Sequence, residues 1–85
     1  MSFTFAFGGN VAHAIRNTDV HETIDTWPGV VNEILEFEEN NETSSIHYAE
    51  DAVVDGQTWH VFIFYLPGID DAAGVIIVKE NGVDE

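Results

Sequence analysis

Two segments of this 85-residue chain are apolar on both sides of an extended backbone. In QTWHVFIFYL, Trp59, Val61, Ile63 and Tyr65 alternate with Phe62, Phe64 and Leu66, and in GVIIV the apolar run is unbroken. Successive strand side chains point to opposite faces of a sheet, so a strand without a polar side has to be covered from both directions. A short chain supplies that cover with difficulty, because small domains bury a smaller share of their surface than large ones. Residues 1–85 are read as a single domain. Helices are expected on one face of its sheet. The second face is left either to a homodimer contact or to wrapping by the N-terminal strand and loops.

The rest of the chain supplies those helices. SFTFAF places Phe3, Phe5 and Phe7 on one side of a first strand that ends at Gly8-Gly9. Asn10 is positioned to cap a helix over VAHAIRN, and Thr18 or Asp19 to cap a second short helix carrying Val20, Ile24 and Trp27. The second helix is expected to stop near Trp27, and Pro28 to be the first residue of a third helix, capped from around Thr26. Its Val30, Val31, Ile34, Leu35 and Phe37 share one broad face, and it is expected to end by Phe37, since Glu38 would project into that face. SSIHYAE is a strand, and Asp55-Gly56 marks a hairpin between AVV and the long apolar strand. The expected fold is α+β, a mostly antiparallel sheet of about four strands with two or three short helices packed on one face.

Charge narrows the functional classes. Sixteen Asp and Glu stand against Arg16 and Lys79, a formal net charge of −14. Two cations build no basic groove, so direct nucleic-acid binding is not expected, and an anionic membrane surface repels the chain. The absence of cysteine leaves no disulfide or thiolate chemistry, and MSFTFAFGGN lacks the basic start and long apolar core of a signal peptide. A cytoplasmic setting fits both observations.

Site motifs are sparse. His13, His21, His47 and His60 invite a metal reading, but HETID has no second histidine four residues on. His47 and His60 are able to face each other on adjacent strands, without a carboxylate at diagnostic ligand spacing. EDAVVDGQTW lacks the spacing of a calcium loop. Nucleophile-elbow, P-loop and dinucleotide-binding patterns are absent, and Asp70-Asp71 is an adjacent pair of the kind that an acid-rich chain produces by chance. The expectation is a non-enzyme without cofactor or metal.

The densest charge is EILEFEENNE, with Glu33, Glu36, Glu38, Glu39 and Glu42. Acids recur at Asp19, Glu22 and Asp25. Solubility alone does not require the near-removal of lysine and arginine, since mixed-sign surfaces suffice. Carboxylates repeated along a rigid helix stand about 5–6 Å apart at Cβ, a spacing suited to the Lys/Arg groove of a nucleic-acid-binding protein. In size, charge and lack of motifs the chain resembles the small acidic inhibitors that viruses of bacteria direct at nucleases, repair enzymes or CRISPR complexes. That resemblance, one of character without a shared motif, implies a mimic of nucleic-acid phosphates acting in the host cytoplasm on a basic partner; the eight acids are singled out by charge density alone. The alternatives are a domain adapted to high salt and an immunity or antitoxin protein that binds a basic toxin.

Overall fold

The computed structural model describes residues 2–40, 45–65 and 74–81. Eight elements follow in order: β1 (Phe3–Gly8), α1 (Val11–Arg16), a 3₁₀ turn (Thr18–Val20), β2 (Glu22–Ile24), α2 (Trp27–Asn40), β3 (Ser45–Val54), β4 (Gln57–Tyr65) and β5 (Gly74–Glu80). The strands form one antiparallel sheet in the order β2-β1-β5-β4-β3. The fold is α+β, with five strands rather than four. No described helix is long and apolar enough to cross a membrane.

Several local readings survive intact. Phe3, Phe5 and Phe7 share a face, and Asn10 caps α1 by accepting a hydrogen bond from the His13 N–H at 2.8 Å. The Thr26 hydroxyl accepts from Gly29 N–H at 3.1 Å at the start of α2. Asp55 and Gly56 both adopt positive φ, 52° and 78°, the conformation of the two-residue turn that matches strand twist.

Other readings are corrected. The second predicted helix is a 3₁₀ turn followed by β2, whose three residues pair with β1 through Phe3–Ile24, Thr4–Thr23 and Phe5–Glu22. Partnerless backbone at the edge of β1 decides the outcome there, not helical spacing. α2 continues to Asn40 because Phe37 packs on Phe64 and Phe7, with centroids 5.0 and 5.3 Å apart. Residues 45–50 of SSIHYAE and the AVV run belong to one strand, β3, interrupted by an irregularity between Tyr48 and Glu50, and Ser44 lies outside the described residues.

The largest correction concerns how the sheet is covered. The helices do not pack on one face; they take opposite faces. On one side Ala14, Val11 and Ile15 of α1 pack with Ala6, Trp59, Val61 and Ile77. On the other, Val30, Ile34 and Phe37 of α2 pack with Phe5, Phe64, Ile76 and Val78. The reason lies in β1, which presents aromatic rings on one side and Thr4, Ala6 and Gly8 on the other. A Cβ at Gly8 would stand 2.9 Å from the Ala14 backbone nitrogen, so α1 sits nearly on the strand. Six residues of helix therefore suffice on the small-residue side. Ile76, Ile77 and Val78 of β5, at the sheet centre, are fully buried between the two layers.

Candidate functional site

Strand parity and the two helices divide the charges unequally. Lys79 pairs with Thr4 and lies on the α1 side, where its Nζ is 5.1 Å from the Trp59 ring centroid and donates to Gln57 Oε1 at 2.8 Å. Arg16 ends α1. Both cations of the chain thus belong to one side. On α2, or at strand positions facing it, lie Glu22, Glu33, Glu36, Glu38, Glu39, Asp51 and Glu80. Among the described residues the only ion pair is between His60 and Asp51. Apart from that pair, the acids of the α2 side have no basic partner among the described residues.

Helical geometry sorts its glutamates. At about 100° per residue, Val30, Ile34 and Phe37 centre on the sheet, Glu36 and Glu39 on the outside, with Glu33 and Glu38 on opposite flanks. Glu33 leans toward β2, where Glu22 stands beside it. Glu22, Glu33 and Glu36 line a shallow hollow of about 230 Å³ floored by Phe5, Phe7 and Phe37. Partial burial, followed by the charge of Glu22 and a hydrogen bond with it, pushes the Glu33 carboxyl above its ordinary range.

The opposite flank of α2 carries Trp27, Val31 and Leu35, which remain 44%, 40% and 56% exposed. Of the predicted apolar face, Val30, Ile34 and Phe37 are covered, whereas Val31 and Leu35 are not. Beside Trp27, a cleft of about 440 Å³ opens toward β3 and β4, lined by Tyr48, Asp51, His60 and Phe62. The Tyr48 hydroxyl donates to Asp51 Oδ1 at 2.6 Å, and His60 Nδ1 bonds the same oxygen at 2.7 Å. A carboxylate only accepts, so the Nδ1 proton is on His60 in this bond. These donors, Tyr48 first, hold the Asp51 carboxyl below its ordinary range, and the same bond to Asp51 raises the Tyr48 phenol.

A β-bulge builds this cluster. Residues three apart on a regular strand face opposite ways, but the extra residue at Ala49 returns Tyr48 to the side of Asp51. The sequence contained half of this signal. Counting outward from the Asp55-Gly56 turn pairs residue 51 with residue 60, as observed, whereas nothing in SIHYAEDAVV marks the bulge. His47 and His60 do not face each other. His47 pairs with Ile63 on the α1 side and His60 with Asp51 on the α2 side. Among the described residues no group of three or more histidine or acidic side chains is arranged to hold a metal ion.

The eight acids singled out from sequence are not one patch. Glu22, Glu33 and Glu36 converge, Glu39 lies on the outer side of α2, and Glu38 lies on the far flank, partly buried. Asp25 is exposed just before α2. Asp19 sits in the 3₁₀ turn, apart from them, and Glu42 lies outside the described residues, as do Asp70 and Asp71. The chain matches no protein family, no curated protein and no solved structure.

Proposed function

We propose that this protein is a non-enzymatic binding protein whose α2 side occupies the Lys/Arg-rich nucleic-acid-binding surface of a partner. The observation that carries the reading is the segregation of charge: Arg16 and Lys79 both lie on the α1 side, while the α2 side carries Asp and Glu and no Lys or Arg. Preordered carboxylates meet a basic groove without an ordering cost and accelerate encounter by long-range attraction. Glu22, Glu33, Glu36 and Glu39 form the centre of this surface, with Glu38 and Asp25 at its margins. Asp19 is outside it.

The test uses the protein as bait in a lysate, beside a variant carrying Glu33→Gln, Glu36→Gln and Glu39→Gln. The expected result is a Lys/Arg-rich protein retained by the parent, released by added duplex DNA and by salt, and lost with the variant. Equal retention by the variant overturns the reading. Folding that requires molar salt, followed by circular dichroism, would instead identify the charge as an adaptation to high salt.

A further inference from the structure

We propose that the cleft between the start of α2 and the β3–β4 hairpin is a subsite for an arginine side chain of a protein partner, held among Trp27, Tyr48 and Phe62 and paired with Asp51. This inference rests on the binding function above and names the anchor that the acidic surface by itself lacks.

The cleft combines two elements that select an organic cation. Its walls are aromatic: Tyr48 and Phe62 stand edge to face with centroids 5.6 Å apart, and Trp27 closes the third side. Aromatic rings attract a cation through their quadrupole, more strongly as water is excluded. Its polar group is a carboxylate kept ionised and held in place, because Tyr48 and His60 both bond Oδ1. Oδ2 carries no hydrogen bond from a described residue. An oriented carboxylate with one open oxygen beside three rings favours a planar, stacking guanidinium over a compact, strongly hydrated ammonium.

The chain supplies no such cation itself. On the α1 side the buried Trp59 already has Lys79 over its ring, whereas no described Lys or Arg approaches the exposed Trp27. A second copy is a poor occupant, because two chains of formal charge −14 repel each other. Trp27 and Tyr48, 44% and 56% exposed, are of the residue types enriched, together with arginine, among interface hot spots.

The experiment titrates the full chain with N-acetyl-arginine amide, its lysine counterpart and its uncharged citrulline counterpart, following the Trp27 indole N–H by NMR. In parallel, the affinity of an oligoarginine peptide is measured. Arginine amide is expected to bind with a dissociation constant on the order of millimolar, shifting Trp27 and the backbone of residues 48, 51, 60 and 62. Asp51→Asn and Trp27→Leu are each expected to weaken it about fivefold, the scale of one exposed charge or cation–π contact. Tyr48→Phe keeps the ring and serves as a milder variant with intact packing. Citrulline binding as tightly as arginine, lysine binding as tightly as arginine, or shifts centred on Glu22 and Glu33 would each overturn the subsite. If the peptide loses affinity with the α2 glutamate variant but not with the cleft variants, the acidic surface stands and the subsite falls. If arginine amide fills the cleft while the peptide ignores the glutamates, the subsite stands and the acidic surface falls.

Discussion

The two sides of the sheet solve the same covering problem in opposite ways. On the α1 side small residues bring a six-residue helix down onto the strands, and Ala6, Ala14 and Ile77 are completely buried. On the α2 side large rings fill the space beneath a fourteen-residue helix, yet the helix leaves Trp27, Val31 and Leu35 half in water. The α1 side has both cations and the α2 side has neither. Close packing on one side frees the other to leave apolar and acidic groups uncommitted. That division is the ground on which the α2 side is proposed as the binding face.

The strongest way to break the comparison is to cut into each layer. Ile77→Ala on the α1 side and Ile76→Ala on the α2 side are each expected to lose about 2–5 kcal/mol in denaturant unfolding, since both side chains are fully buried. A loss below about 1 kcal/mol for Ile77→Ala would mean that so short a helix does not seal its face. Next in size is Gly8→Ala, whose Cβ would meet the Ala14 backbone at 2.9 and 3.0 Å. It is expected to cost about 1–3 kcal/mol, whereas Leu35→Ala on the outer flank of α2 should change stability by no more than about 0.5 kcal/mol.

Smaller effects sharpen the contrast between two carboxylates. Asp51 has donors around it, and Glu33 has another carboxylate. A depressed pKa contributes stability above the unfolded value and loses it as pH falls through the folded value. In Asp51 that loss is therefore confined to pH below the ordinary carboxylate range. Following the Asp51 side-chain carbon by NMR should show titration below that of a free aspartate, moving back up in Tyr48→Phe. Glu33 behaves with the opposite sign: its raised pKa means that ionisation opposes folding, so its contribution fades as pH rises through the folded value. Glu33→Gln is accordingly expected to stabilise the protein slightly at neutral pH, by about a few tenths of a kcal/mol, the scale of a like-charge pair on a helix surface. A destabilised Glu33→Gln would show that Glu33 has a favourable partner instead of Glu22.

Features governed by short-range rules were legible in the sequence. Asn10, Thr26 with Pro28, and Asp55-Gly56 act through residues one to three positions away, and each behaves as its local chemistry dictates. The alternation of Phe3, Phe5 and Phe7 likewise needs only the strand period. What escaped was set by distant partners. β2 exists because β1 has an edge to satisfy, and HETID has no strand signature of its own. The bulge at Ala49 and the Tyr48–Asp51–His60 cluster depend on how β3 settles against β4. The placement of α1 was missed as well, since Thr4, Ala6 and Gly8 opposite the three phenylalanines mark it by a contrast in size rather than in polarity. The convergence of Glu22 with Glu33 required β2 and so could not be seen before it.

Pairing β1 with β5 has a consequence for how the molecule comes to exist. The sheet's middle strand is contributed by residues 74–80, and its neighbour by residues 3–8. The β3–β4 hairpin closes over a two-residue turn and β5 pairs with the strand that precedes it, but joining β1 to β5 means closing a loop that spans nearly the whole chain. Loop-closure entropy has to be met before those contacts reward it, which raises contact order and slows folding. During synthesis the α2 side therefore waits, its phenylalanines without Ile76 and Val78 to pack on, until β5 has left the ribosome. A formal charge of −14 opposes association of such unfinished chains.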